Sequence, residues 1–305
     1  MPKIVAIDHG NAAVKTIHET FPAGLADAHG IADETVEYKG RQYALSHRRL
    51  PNMRNKALTD DYFILTLFAL GRELDGLEES VMLAVGLPPA HMRSGRREFE
   101  AYFAGRSPIE FRYNKCPRII RVEQVLCFPQ AYAAAMTRAG ELAGLPRAFV
   151  VDIGGMTVDT LLLRHAKPDM AYTMSLEGGV NRLFNEIAGA LSSELGIRAE
   201  QDQIEAVLCS SHDGTELRGE DSFFDSSATH LMKTTAERFA ARLLRDLRER
   251  DIDLQTTPSV FIGGGALLLR RFIEGSPIVK APIFVEEVNA NALGYQLLAE
   301  AALKR

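Results

Sequence analysis

The chain has 305 residues, 46% hydrophobic and 25% charged, with a formal charge of −5. This is an ordinary globular composition, long enough for two domains. Its acidic balance excludes a global positive field drawing it to nucleic acid or an acidic membrane.

The three cysteines, Cys116, Cys127 and Cys209, lack metal-ligand spacing and read as reduced thiols. The start "MPKIVAIDHG" meets an aspartate too soon for a signal peptide. The longest apolar run, Phe63 to Leu70, falls far short of the roughly 18 residues that suggest a bilayer span. A cytoplasmic protein without membrane contact is expected.

"KIVAIDHGNAAVKTIH" predicts strand, turn, strand. The first strand ends at Asp8, Gly10 and Asn11 turn the chain, and Lys15 lies on the returning strand. "VEYKGRQYALS" predicts a hairpin turning at Lys39-Gly40. Asp60 to Leu77 has helical spacing, and "SVMLAVGLP" predicts a strand closed by Pro88 and Pro89. A polar helix over "HMRSGRREFEAYFAG", two strands over "IEFRYNKCPRIIRVEQVLCFPQ" and one Ala-rich helix over "QAYAAAMTRAGELAG" follow.

The second half repeats this grammar. "RAFVVDIGGMTVDTLLLRH" predicts strand, glycine turn, strand, and "YTMSLEGGVNRLFNEIAGALSSEL" a turn running into a helix. Arg198 to Ser227 is polar and reads as a small insert. "SATHLMKTTAERFAARLLRDLRER" predicts a long amphipathic helix with i,i+4 charge pairing. "SVFIGGGALLLRRFIEG" is strand, glycine turn, helix, and "NANALGYQLLAEAALK" a closing helix. Both halves open with an Asp-ended strand and a glycine turn, an approximate internal duplication. No linker separates them, so they are expected to pack around a shared cleft.

A glycine-rich hairpin leaves backbone N–H groups unpaired and pointing one way, a nest for anions such as phosphate. Gly154 and Gly155 supply close approach and Thr157 a hydroxyl donor. Asp152 and Asp159 cannot face phosphate without repulsion. They can hold a hydrated Mg²⁺, which takes only one or two carboxylates, or orient an attacking water. Lys15 can neutralise phosphate as a point charge. Gly263, Gly264 and Gly265, between a strand and a helix, let a ligand touch the backbone.

Each motif also has a plainer reading. Gly154-Gly155 can be a tight hairpin among solvated acids, Lys15 a surface amine, and Gln130 an ordinary residue at a helix start. Arg93 to Glu98 and Arg238 to Arg250 read as solvated helix faces. The histidines receive no role.

The order of these motifs resembles the actin-like ATPase superfamily, shared by actin, heat-shock chaperone ATPase domains and sugar kinases, over nearly the whole chain. "IDHGNAAVK" resembles the first phosphate loop, "DIGGMTVD" the second and "FIGGGALLL" the adenosine loop. "VEQVLCFPQAYAAAM" and "NANALGYQLL" resemble the two connecting elements. Size, wording and the lobe opening with "VEYKGRQYALSHRRLPNMRNKALTDDYFILTLFAL" are most similar to the bacterial plasmid-segregation actins of the ParM/StbA group.

The resemblance implies an α/β, actin-like fold of two related domains around a nucleotide cleft, each a five-stranded mixed sheet with helices. The domains are expected over 1–147, with a small lobe at about 33–115, and over 148–305. The last helix, about 289–303, is expected to pack back on the first domain.

ATP or GTP with Mg²⁺ is implied as cofactor. Asp8, Gly10, Asn11 and Lys15 then fall at the first phosphate site, and Asp152, Gly154, Gly155 and Thr157 at the second. Gln130 is placed to position the attacking water, and Asp152, with Asp8, to order the waters of Mg²⁺. Gly178, Gly179 and Asn181 fall near the sugar, and Gly263 to Gly265 under the base. Asn11 stands where many relatives carry a hydroxyl, and Met156 where a polar residue is commoner.

The implied activity is nucleotide hydrolysis coupled to a homopolymeric filament that moves plasmid DNA through a small DNA-binding adaptor protein, without direct contact to nucleic acid. Two alternatives stand beside it. A small-molecule kinase of this fold needs an acceptor pocket and usually larger inserts. A non-polymerising adaptor tends to carry a membrane or partner helix.

Overall fold

The computed structural model describes residues 2–28, 33–51, 53, 55–210 and 224–304. It divides into two compact units, one of Met1–Arg138 with Asn289–Arg305 and one of Ala139–Val288.

The first unit is built on β1 (Lys3–His9), β2 (Ala13–Lys15), β3 (Thr20–Pro22), β4 (Leu25–Asp27), β5 (Thr35–Tyr38), β6 (Arg41–Leu45), β7 (Glu78–Leu87), β8 (Ile109–Tyr113) and β9 (Cys116–Pro129). They form one nine-stranded sheet in the order β3-β2-β1-β7-β9-β8-β5-β6-β4. The five strands expected for this unit are the run from β3 to β9, and the lobe adds four more. The reason lies in β9, which is 14 residues long. It pairs in parallel with β7 from Ile119 to Pro129. Its start pairs antiparallel with β8, Tyr113 opposite Cys116, so the sheet continues into the lobe instead of ending.

Helix α1 (Asp61–Glu73) buries every residue from Tyr62 to Gly71. A helix that is apolar all round belongs in a core. It stops short of the expected Leu77: Leu74 is extended, and the Gly76 N–H closes a turn onto the Glu79 carboxylate at 2.8 Å. Helix α2 (Pro89–Ala104) starts on a proline, which suits the first helical position. It buries Met92, Phe99, Tyr102 and Phe103 and turns Arg93, Arg96 and Arg97 to solvent.

The Ala-rich segment is not the single helix expected. It is α3 (Tyr132–Met136) and α4 (Ala139–Leu142), and the unit boundary falls between them. Helix α10 (Ala290–Leu303) lies against α3, β1 and β7, with Tyr295 fully buried.

The second unit carries β10 (Arg147–Ile153), β11 (Thr157–Arg164), β12 (Lys167–Glu177), β13 (Ser259–Ile262) and β14 (Ile283–Phe284), in the order β12-β11-β10-β13-β14. Its helices are α5 (Val180–Leu195), α6 (Gln201–Ser210), α7 (Ser226–Arg248), α8 (Gly264–Leu268) and α9 (Arg270–Glu274).

The duplication read from the sequence is present in the topology. β10 has its hairpin partner β11 on one side and parallel β13, then β14, on the other. β1 likewise stands between antiparallel β2 and parallel β7, then β9. Three details differ from expectation. Residues 172–177, read as a turn, are the end of β12. The polar insert contains α6, and its residues 211–223 lie outside those described. On α7, Arg242 reaches across to Glu186 of α5.

Among the described residues no helix is long and apolar enough to cross a membrane. Helix α7 is amphipathic, burying Met232, Ala236, Ala240, Leu243 and Leu247, and its N-terminus is capped by the Asp225 carboxylate, which accepts from Ala228 N at 2.8 Å.

Candidate functional site

In the first unit the tip of β1 places Asp8 at the edge of the core, only 4% exposed. The hairpin register sets Lys15 directly opposite Asp8, and opposed residues send their side chains to the same face. Asp8 Oδ1 accepts from Gln130 Nε2 at 2.9 Å. Gln130 is held there because its own N–H donates to the Leu87 carbonyl at the end of β7, at 2.8 Å. Asp8 and Lys15 are therefore gathered at one sheet end with Gln130, which lies 122 residues from Asp8 in the chain. Gly10 and Asn11 form the turn above them, with Asn11 exposed.

Two further side chains enter this site. Lys56, from the segment between β6 and α1, donates to the His9 carbonyl and lies 4.9 Å from the Tyr62 ring centre. Burial draws its ammonium down to about 8, with the Asp8 carboxylate pulling the other way. Nothing in the spacing of "RNKALTDD" marks this lysine, because it reaches the site from a loop.

His9 is fully buried, stacked at 5.4 Å on Phe103. Its Nε2 is 2.8 Å from Thr66 Oγ1, whose own proton goes to the Tyr62 carbonyl. His9 therefore donates from Nε2 and keeps Nδ1 bare, and Nδ1 has no partner among the described residues. Burial, helped by nearby Lys56, lowers its pKa to about 3, so the ring is neutral at physiological pH.

In the second unit β10 carries Asp152 opposite Asp159, and the Thr157 hydroxyl donates to Asp159 at 3.0 Å. The turn closes with Gly154 N–H on the Thr157 carbonyl at 2.9 Å. The carbonyls of the tip face the start of α5. Gly154 accepts from Val180 N at 3.0 Å, Gly155 from Asn181 N at 2.9 Å, and Met156 from both Gly178 N and Gly179 N. Among the described residues no backbone carbonyl accepts from the N–H groups of Gly155 and Met156. Amides left over in this way make an anion nest.

This docking demands glycine at two places. A Cβ on Gly179 would stand 2.2 Å from the Gly154 carbonyl oxygen. Gly263 has φ +90°, and its Cβ would meet Asp152 Oδ1 at 2.6 Å. The parallel register Asp152–Ile262 delivers Gly263 to that spot. Asp152, Gly154, Gly155, Gly178, Gly179, Asn181, Gly263 and Gly265 thus converge, while Gly264 is exposed. The amide of Asn181 donates to the Met156 sulfur at 3.2 Å.

Beside Gly178 opens a cavity of about 290 Å³, lined by Glu177, Arg182, Phe239, Arg242, Asp246 and Arg250 among others. The Glu186 carboxylate accepts from Arg182 at 2.9 Å and from Arg242 at 2.8 Å, holding two cations with one charge. Part of the run read as a solvated face, Arg242, Asp246 and Arg250, therefore lines a cavity. The signal was available: residues 239, 242, 243 and 246 recur at helical spacing on one side of α7, and Arg250 follows just past its end.

Two family models match the chain, one for the N-terminal domain of actin-like proteins over residues 6–132 and one for the C-terminal domain of the archaeal MreB-like actin homologue over residues 150–275. A search among curated proteins finds no sequence match. Among solved structures, the archaeal actin homologue Ta0583 superposes with a TM-score of 0.78 at 18% identity, covering 98% of this chain and 99% of that one. Its complex with ADP gives 0.71 at 19% identity over the same shares. The apo ParM protein of pSK41 gives 0.74 at 14% identity, covering 99% and 98%. An AlfA filament bound to AMPPNP gives 0.64 at 15% identity, covering 100% and 98%. At these identities the likeness is one of fold. The two actin-type family models lie in order along the chain, over residues 6–132 and 150–275, and together show that it belongs to the actin-like proteins.

Proposed function

We propose that this chain is a filament-forming actin-like ATPase of the ParM/StbA kind, binding Mg·ATP or Mg·GTP and segregating plasmid DNA in the cytoplasm. The observation that carries the reading is the convergence in the second unit: an amide nest at Gly155-Met156, glycines at 179 and 263 where a Cβ would clash, and a polar cavity alongside. A nest suits phosphate, and the cavity suits a nucleoside. Glu177 and Asp246 can accept from sugar hydroxyls or base amines there.

The first unit supplies a second hairpin, with Lys15 and Lys56 as cations beside Asp8. Among the described residues no three His, Cys, Asp or Glu side chains gather into a metal site. The carboxylates fit a magnesium held through water, since Mg²⁺ keeps several waters and takes only one or two carboxylates. A bound Mg²⁺ would neutralise charge on the phosphates. Asp8 in the first unit and Asp152 in the second are the carboxylates that could each hold such an ion through its waters. Gln130, whose Nε2 is spent on Asp8, keeps Oε1 free to accept from and align an attacking water.

Ta0583 has been crystallised with ADP and AlfA seen as a filament with AMPPNP. Both support carrying nucleotide binding and self-assembly over to this chain. The partners on this reading are further copies of the chain and a small DNA-binding adaptor. Calorimetry with AMPPNP and Mg²⁺ tests the reading: saturable binding is expected, and no heat up to millimolar ligand would overturn it.

A further inference from the structure

Ala131, next to Gln130, has φ +59° and ψ −51°. Tyr132 N–H donates to the Gln130 carbonyl at 2.5 Å, closing a one-residue turn around it. This γ-turn is the rare, strained form for an L-residue. Such a conformation persists only where its surroundings over-determine it, and it points to function when found.

The surroundings are specific. The Ala131 N–H donates to Asn291 Oδ1 at 3.1 Å. The other end of that carboxamide, Nδ2, faces Asp8 Oδ2 at 3.5 Å, the outer edge of a hydrogen bond. The orientation is fixed by chemistry, because a flipped amide would set oxygen against carboxylate and nitrogen against an N–H. Asn291 thus reaches from the first turn of α10 to both the strained turn and the carboxylate that Gln130 touches.

The helix does not depend on Asn291 for its place. Asn289 donates to the carbonyls of Thr16 and Ile17 at 3.2 and 2.8 Å. Tyr295 is fully buried, and Gly294 is packed so tightly that a Cβ would stand 1.9 Å from the Ala133 carbonyl oxygen.

We propose that Asn291 is a positioning residue for hydrolysis, holding Ala131 in the turn that aims Gln130 at Asp8. This rests on the ATPase reading above. Without the carboxamide, the buried Ala131 N–H loses its acceptor and the residue relaxes to negative φ. The Gln130 side chain then swings away. Glycine has no Cβ and adopts either sign of φ with equal ease, so Ala131→Gly keeps the turn without the clamp.

The test is steady-state ATP hydrolysis by the full chain as wild type, Asn291→Ala, Ala131→Gly and the double variant. Asn291→Ala is expected to lower kcat at least tenfold with KM and AMPPNP affinity within threefold. Ala131→Gly alone should stay within threefold of wild type, and the double variant should recover to within threefold. An unchanged kcat in Asn291→Ala overturns the proposal, as does a double variant no faster than Asn291→Ala. A wild type that binds AMPPNP but does not hydrolyse ATP overturns it too. A wild type that binds no nucleotide defeats the ATPase reading itself. Amide exchange distinguishes a failed clamp from a failed reading: Ala131 protected in wild type and exposed in Asn291→Ala shows the clamp, and equal protection overturns it.

Discussion

Gly179 lies so close beneath Gly154 that the two backbones leave no room for a side chain, a Cβ falling 2.2 Å from the carbonyl oxygen. Through this approach the hairpin tip spends its carbonyls on the start of α5, while the amides of Gly155 and Met156 have no backbone acceptor among the described residues. Gly179→Ala must push the tip away. Overpacking of this kind costs about 1–3 kcal/mol. Thermal melts should show that loss, and calorimetry an AMPPNP affinity weakened by about tenfold, or ~1.4 kcal/mol. Wild-type binding in this variant would remove the hairpin from the ligand site.

Gln130→Ala should slow hydrolysis while leaving nucleotide binding within about tenfold, roughly 1.4 kcal/mol. The attacking water matters only beyond the ground state, so its alignment appears in kcat. Asp152→Ala should abolish turnover. Equal losses of binding and turnover in the Gln130 variant would reassign that residue to holding Asp8 in place.

His9 makes stability depend on pH. An unfolded histidine titrates near 6.5, whereas the folded one stays neutral down to about 3. Between these values the unfolded chain binds the extra proton. The His9 contribution is therefore complete above about 6.5 and declines as pH falls, by up to about 1.4 kcal/mol per unit. Urea unfolding of wild type and His9→Gln should show a gap at pH 7.5 that narrows by pH 5. A gap independent of pH would contradict the assignment of a neutral buried ring.

Assembly is expected to follow nucleotide. A head-to-tail contact that does not close into a ring extends without limit, and nucleotide can favour it only by stabilising the polymer-competent state more than the other. Light scattering should rise with ATP and Mg²⁺ and fall as phosphate is released. In Gln130→Ala the signal should rise and persist. A monomer in sedimentation under saturating ATP and GTP would exclude the filament reading and favour a kinase or adaptor.

Strands, hairpins and glycine turns were legible in the sequence because their signals are local. An Asp-ended β-branched run before Gly10 or Gly154 fixes a hairpin through backbone sterics alone, and the same grammar in both halves disclosed the duplication. Helix α1 was visible as an unbroken apolar run, though not its end, since Leu74 and Leu77 keep a helical period after the helix has stopped.

What the tertiary structure decided was company. No local rule brings Gln130 and Asn291 to Asp8, or Lys56 to the His9 carbonyl. These contacts depend on the parallel order β1-β7-β9 and on α10 docking against α3, and pairing over such sequence distances leaves no periodic trace. The extension of the first sheet through β8 was hidden for the same reason, because one long strand, β9, serves two neighbours with different parts of its length. The strained turn at Ala131 could not be foreseen either. An alanine announces no positive φ, and the acceptor for its N–H comes from Asn291, 160 residues along the chain.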